Sequence, residues 1–322
     1  MRDPFKTRFL LGASVIFLLV CGLTFTHLTT INITSAASQQ MTLPPAQGIA
    51  TPPAQEIATP PAQESIAPVN TDKVVVKPTK SFASKFSQDC GFTLEPIESP
   101  QALGQCTILV IGDSMASNLG WGLSGVLKES VSPSVILKGK PSTGLSNSWF
   151  YDWSKELPPM LEDYKPSLVI MFIGANDVQD SKIDSKSEKF GNEKWLSAYA
   201  SKVKEIESLV SDSGAYLMWV GLPIMRPNLY EKGISQLSQI QESNVVDVPG
   251  AVYLPLRTFL ADAQGNYRAF AKVNNKMRKI RGEDGIHFSS IGQSVIATYV
   301  LDNIEEIFHT KIHLKNRYPI TN

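Results

Sequence analysis

A serine hydroxyl is a weak nucleophile at neutral pH and attacks an ester only when a neighbouring base takes its proton. Residues 107–119, TILVIGDSMASNL, offer such a serine. Ile108, Leu109, Val110 and Ile111 read as a buried strand that breaks at once into Gly112-Asp113-Ser114. Ligands in open α/β sheets bind beyond the carboxyl ends of the strands, so Ser114 would face substrate. Taken singly, Gly-Asp-Ser is equally an ordinary turn in which Asp113 or Ser114 caps the next helix. The usual base is histidine, and the chain has 4. His27 falls in or beside an apolar N-terminal segment, and His309 and His313 lie where the last helix runs out, which leaves His287 inside the domain. It stands in GEDGIHFS, residues 282–289, three positions after Asp284. On a turn, that spacing lets the carboxylate reach the far imidazole nitrogen, fix its tautomer and stabilise the cation formed on proton transfer. The plain alternative for Asp-x-x-His is a helix-start loop with a solvated histidine.

Acyl transfer also needs donors for the developing oxyanion. Asn176, in Gly174-Ala175-Asn176-Asp177, could aim its amide at the same sheet edge. Gly144, in Pro141-Ser142-Thr143-Gly144-Leu145, permits close approach of a backbone N–H. Each is an everyday turn on its own, but four such motifs in one order at strand ends are hard to assign to turns.

The elements that must position these residues alternate. Strands are expected near 108–112, 134–138, 168–173, 216–221 and 251–254, and helices near 114–129, 149–162, 193–213, 229–244 and 290–308. The pattern predicts an α/β fold, a parallel five-stranded sheet with helices on both faces, over residues 89–315, with 316–322 as a tail. Residues 120–125, GWGLSG, match the dinucleotide fingerprint letter for letter. That motif works only where its first glycine closes the turn directly after a strand, and here it falls inside an expected helix, so these glycines read as close helix packing.

With 322 residues, 43% of them hydrophobic, the chain can bury a sizeable core, and 30 basic against 30 acidic residues give no bias toward nucleic acid. Arg2, Lys6 and Arg8 precede the uncharged residues 9–33. Residues 1–40 therefore read as a secretory signal cleaved near 37 or as a retained inner-membrane anchor with its positive flank inside, the latter being slightly favoured. Cys21 lacks the small residue before it that a lipidated cysteine wants. Residues 41–88 begin with TLPPAQGIA, TPPAQEIA and TPPAQESIA, an extended spacer too poor in apolar residues to fold, and continue through Lys73, Lys77, Lys80 and Lys85 as a basic linker. Cys90 and Cys106 bracket the domain entrance. In an exported chain such a pair reads as a disulfide, contributing on the order of 3 kcal/mol. The expected location is periplasmic or otherwise extracytoplasmic.

The four motifs together resemble the SGNH hydrolase (GDSL-type esterase) superfamily, whose blocks carry Gly-Asp-Ser, Gly, Gly-x-Asn-Asp and Asp-x-x-His. The likeness runs from Ile108 to the last helix, and the surrounding STGL, WFYDW, GANDVQ, GLPIMR and DGIHFS look like an exported bacterial branch of largely unknown function. The resemblance implies a three-layer α/β/α sandwich of flavodoxin-like type, with Ser114 as nucleophile, His287 as base and Asp284 orienting it. It implies an oxyanion hole from the N–H groups of Ser114 and Gly144 and the side chain of Asn176, and no cofactor or metal.

Superfamily members act on lipids, thioesters, aryl esters and sugars, so the fold does not choose a substrate. Asp113, Asp177, Trp149 and Arg226 are candidate substrate contacts, Trp149 as part of a sugar-stacking wall with Tyr151 and Trp153, and Arg226 reaching toward an anionic group. Aromatic residues there can equally pack the core, and Arg226 can equally pair with a neighbour. Residues 179–194 form a candidate polar lid, and the lack of a long apolar lid favours carbohydrate esters over lipids. The expected activity is removal of O-acetyl groups from cell-envelope or secreted polysaccharide, or from a small ester, through an acyl-serine. The alternatives are transfer of those groups with a membrane acetyl-donor partner, a lipid or thioester acyl hydrolase, and a non-catalytic glycan-binding module of an envelope assembly.

Overall fold

Short apolar runs bounded by turn residues suit strands buried on both faces of a parallel sheet. The computed structural model describes residues 106–127, 134–226, 228–245, 248–308, 312 and 314–321. All of them fall in one compact unit, Pro68–Asn322. The expected signal or anchor, the repeat linker, Cys90, His27, His309 and His313 lie outside the described residues. Strands β1 (Thr107–Gly112), β2 (Ser134–Gly139) and β3 (Leu168–Phe172) share one sheet with two later strands, Tyr216–Val220 and Ala251–Leu254. These two are β6 and β7, because the short hairpin β4 (Ser181–Ile183) and β5 (Lys186–Glu188) comes between. The sheet order is β2-β1-β3-β6-β7, every neighbouring pair is parallel, and β3, β6 and β7 are buried along their whole length.

The helices are α1 (Ser114–Val126), α2 (Trp153–Tyr164), α3 (Glu193–Asp212), α4 (Asn228–Val245), the short α5 (Leu256–Leu260) and α6 (Ser290–Phe308). Helices α1 and α6 pack together, and α2, α3 and α4 pack in series, so the fold is a three-layer α/β/α sandwich. The GWGLSG glycines lie in α1, where an added Cβ at Gly120 would strike Leu137 at 2.5 Å and one at Gly122 the Gln293 carbonyl oxygen at 2.1 Å, while Gly125 has open space around it. Two of the three are therefore fixed by packing, and none sits at a strand end.

Four local features differ from the sequence expectation. Helix α2 starts at Trp153 because the Asp152 side chain caps it, accepting from the Ser154 N–H at 3.2 Å, so residues 149–152 form loop. The stretch 179–194 is no featureless lid: it contains the β4–β5 hairpin, closed by Asp184 and Ser185 with φ of 50° and 64°, the left-handed values that two-residue hairpin loops require. A second hairpin, β8 (Phe270–Val273) with β9 (Lys276–Lys279), turns through Asn274 and Asn275 in the same way. Residues 316–321 are not a detached tail. The Tyr318 N–H donates to Thr298 at 3.1 Å, Arg317 pairs with Asp302 and Glu305, and the Thr321 N–H reaches the Lys272 carbonyl at 2.7 Å.

Candidate active site

The carboxyl end of β1 must turn within one residue so that a helix can start. Gly112 makes the turn at φ 131°, and its missing Cβ leaves room for the Phe172 carbonyl oxygen, which a side chain would meet at 2.0 Å. Asp113 then caps α1 by accepting the Met115 N–H at 2.8 Å, which leaves Ser114 as the first helical residue. The Ser114 hydroxyl lies 2.7 Å from His287 Nε2, and His287 Nδ1 lies 2.5 Å from Asp284 Oδ2. Burial tends to raise the Asp284 pKa, but hydrogen bonds from the His287 ring and from the Ile286 and His287 N–H groups outweigh it and bring it down to about 2. An ionised Asp284 can only accept, so Nδ1 carries the proton and Nε2 presents its lone pair to the hydroxyl. The two N–H bonds to Asp284 Oδ1, 2.9 Å from Ile286 and 3.0 Å from His287, close the Asp-x-x-His segment into a turn.

Asn118 joins the two halves of this chain. Its Oδ1 accepts the Phe288 N–H at 2.9 Å and its Nδ2 donates to the Ser114 carbonyl at 3.0 Å, so one amide gauges the gap between the serine helix and the histidine loop. Helical spacing, four residues after Ser114, is the signal that could have found it.

The side that carries the expected oxyanion donors rests on two carboxylates. Asp177, fully buried, accepts the Leu145 N–H at 3.0 Å, the Ser146 N–H at 2.8 Å, the Ser146 hydroxyl at 2.7 Å and the Tyr199 hydroxyl at 3.1 Å. Asp113, also fully buried, accepts the Gly174 N–H at 3.0 Å and the Ala175 N–H at 2.9 Å in addition to its cap. Glycine is required at 144 because a Cβ would come within 2.0 Å of Asp177 Oδ1. The Asn176 amide donates to the Thr143 carbonyl at 2.9 Å, which sets it beside Gly144. Among the described residues, no acceptor takes the N–H of Ser114 or of Gly144. The Tyr230 hydroxyl of α4 donates to the Ala175 carbonyl and steadies the same turn.

Asp113 and Asp177 are thus not substrate contacts. Their oxygens are occupied by backbone and hydroxyl donors, and they work by drawing separate loops together. Burial pushes the Asp113 carboxyl up to about 7, against the Met115 and Gly174 N–H groups and with added repulsion from Asp177. Burial raises Asp177 in the same sense.

Of its two expected roles, Arg226 shows pairing with a neighbour. It is exposed in the loop beyond β6, its guanidinium donates to the Glu283 carbonyl and its backbone N–H to the Gly285 carbonyl at 3.2 Å, so it braces the histidine loop. The expected aromatic wall divides: Trp153 is buried with its Nε1 on Thr143, Tyr151 is half-buried, and Trp149 is exposed. Cys106 is buried just ahead of β1.

Sequence reasoning missed Arg281. It is 1% exposed, and its guanidinium donates to the carbonyls of Ile224 at 2.8 Å, Gly285 at 3.1 Å and Ile286 at 2.9 Å, with the Tyr267 and Phe288 rings each 5.0 Å away. Burial pulls its pKa down to about 10, so it remains a cation at neutral pH. In the string KMRKIR it reads as one more solvated charge, and nothing in the local pattern marks it as internal.

A family model described as "Protein of unknown function (DUF459)" matches residues 107–303. No curated protein matches the chain. Among solved structures, the chain is similar to an alpha/beta hydrolase enzyme from the metagenome of Lake Arreo, Spain, with a TM-score of 0.45, 14% identity and coverage of 63% of this chain and 96% of that one. It is also similar to an acetylxylan esterase from Geobacillus stearothermophilus, with a TM-score of 0.40, 15% identity and coverage of 62% and 93%.

Proposed function

This chain belongs to the DUF459 family, and we propose that it is an extracytoplasmic serine esterase that removes O-acetyl groups from cell-envelope or secreted polysaccharide. The observation that carries the reading is the continuous hydrogen-bonded chain from Ser114 Oγ through His287 to an ionised Asp284, at 2.7 and 2.5 Å. The four blocks that carry the SGNH resemblance meet on the carboxyl side of one sheet, and they support ester chemistry there.

In the proposed reaction Ser114 Oγ attacks the acetyl carbonyl carbon while His287 Nε2 takes the hydroxyl proton. The negative charge on the carbonyl oxygen is met by the N–H groups of Ser114 and Gly144 and by Asn176. The intermediate collapses by breaking the bond to the sugar oxygen, which leaves with the proton from His287, and acetyl-Ser114 remains. Water attacks this ester next, its proton passing to His287 and then to Ser114 as acetate departs. The side chains of His287 and Asp284 are 39% and 45% exposed, so water reaches the base, and this favours hydrolysis over transfer to another sugar hydroxyl.

The location rests on sequence: an anchor at residues 9–33, a stalk at 41–88 and a Cys90–Cys106 bridge. The test is release of acetate from 4-nitrophenyl acetate and from acetylated oligosaccharides by the full-length chain, with Ser114→Ala as control. Turnover lost in the variant supports the reading. No acetate released from any ester by folded protein removes it.

A further inference from the structure

Two large aromatic side chains stand side by side in water. Trp149 is 76% exposed and Phe150 50%, their ring centroids are 6.0 Å apart, and their planes meet at 63°. An indole left this exposed has hydrophobic surface that the fold does not use, although Tyr151 and Trp153, the next aromatic residues along, do turn inward. The backbone that presents the pair is held at several points. The Phe150 N–H donates to the Asn147 carbonyl at 2.8 Å, the Ser146 carbonyl accepts the Ser181 hydroxyl, and Trp153 Nε1 donates to Thr143 Oγ1 at 3.1 Å. The same loop begins at Gly144 and is seated on Asp177 through Leu145 and Ser146. The backbone that carries the rings is therefore tied to the turn that carries a proposed oxyanion donor.

We propose that Trp149 and Phe150 form a subsite for one pyranose ring of a polysaccharide, next to the ring whose ester is cleaved. A pyranose has an apolar C–H face and a hydroxylated edge. The indole accepts the face, Phe150 forms a side wall, and water or the exposed Ser142 and half-buried Ser148 take the hydroxyls. A lipid surface fits less well, because membrane insertion needs a broader contiguous apolar patch than two rings at an angle. Preorganisation of the loop reduces the ordering cost of binding. The inference rests on the glycan-esterase reading and narrows it to polymers, since a lone acetylated sugar has no second ring to offer the aromatic pair.

The test uses full-length chain in mild detergent. Ser114→Ala, which does not turn over, is titrated with O-acetylated mono- and hexasaccharides of xylose, mannose, N-acetylglucosamine and uronic acids. At least one hexasaccharide should bind ten times or more tighter than its monosaccharide, and adding Trp149→Ala and Phe150→Ala should remove most of that gain, while Trp149→Tyr keeps it. In the active chain the double alanine variant should lose roughly tenfold in kcat/KM on that hexasaccharide through KM, and stay within twofold on 4-nitrophenyl acetate. The proposal is overturned if no hexasaccharide gains over its monosaccharide, if the aryl ester is lost in parallel, or if the variant loses affinity only for anionic lipid vesicles. An inactive chain that still shows the length-dependent binding would remove the esterase reading and leave the subsite.

Discussion

The nucleophile floor and the histidine loop solve the same problem with opposite charges. The floor, from Gly112 to Ser114 with the turns at 143–146 and 174–177, is mostly buried and is gathered by two carboxylates that collect N–H and O–H donors. The histidine loop is partly exposed and, beyond the Asp284 turn and the exposed Arg226, is gathered by one buried cation, Arg281, that donates to carbonyls. Irregular backbone cannot satisfy itself, so each region uses a side-chain charge in place of a strand or helix ladder. The difference shows in their mobility requirement. In the proposed reaction the floor must hold N–H groups still around a developing charge, whereas the loop carries the group that moves protons and stays open to water.

The largest effect should come where the regions meet. Ser114→Ala and His287→Ala should each cost on the order of 10⁴-fold or more in kcat/KM, and the double variant little beyond either. Losses that multiply would mean that floor and loop act independently.

Next comes the floor itself. Asp177→Ala orphans four donors, those of Leu145 and Tyr199 buried, and should destabilise the fold by roughly 3 kcal/mol or more, read as a lower urea midpoint. Arg281→Lys on the loop side keeps the charge and loses the fork that serves three carbonyls. It should lower kcat by roughly tenfold with KM on 4-nitrophenyl acetate unchanged, and shift stability less than Asp177→Ala does. The reverse ranking would erase the distinction between the two regions.

The smallest effect per measured step is a slope with pH. Asp113 titrates at about 7 in the folded chain against 3.8 for an ordinary Asp, so between these values the folded state binds the extra proton. Stability contributed by the neutral carboxyl is therefore full below about pH 4 and falls as pH rises toward 7, by at most about 1.4 kcal/mol per unit. Asp113→Ser keeps a helix cap and should flatten that fall in urea midpoints taken from pH 4 to 8. Asp284 behaves oppositely. Its pKa of about 2 keeps it ionised throughout, so it should add no ionisation to the acid limb of the rate profile above about pH 3.

The parts of this architecture that burial dictates were legible in the chain. Ile108 to Ile111 and Leu168 to Phe172 are apolar because both faces of their strands are covered, and the resulting strand ends locate Ser114, Gly144 and Asn176 in order. The hairpins at 181–188 and 270–279 were not, since strands of three or four mostly exposed residues carry no apolar rhythm. Asp113 and Asp177 look like surface or substrate carboxylates in a string of letters, and only the donors converging on them from distant loops explain their burial. Arg281 is the same case with the sign reversed. Residues 316–321 carry too few apolar side chains to announce that they dock on α6 and β8.

Ser114 Oγ is the atom proposed to take the acyl group, and covalent capture reads this directly. Full-length chain treated with a fluorophosphonate ester and digested should yield, by mass spectrometry, one adduct on the peptide containing Ser114. The adduct should be absent in Ser114→Ala and formed at least 100-fold more slowly in His287→Ala, on the order expected for loss of a general base. Ester hydrolysis that persists while Ser114 stays unlabelled, or label on another residue with Ser114 intact, would contradict it.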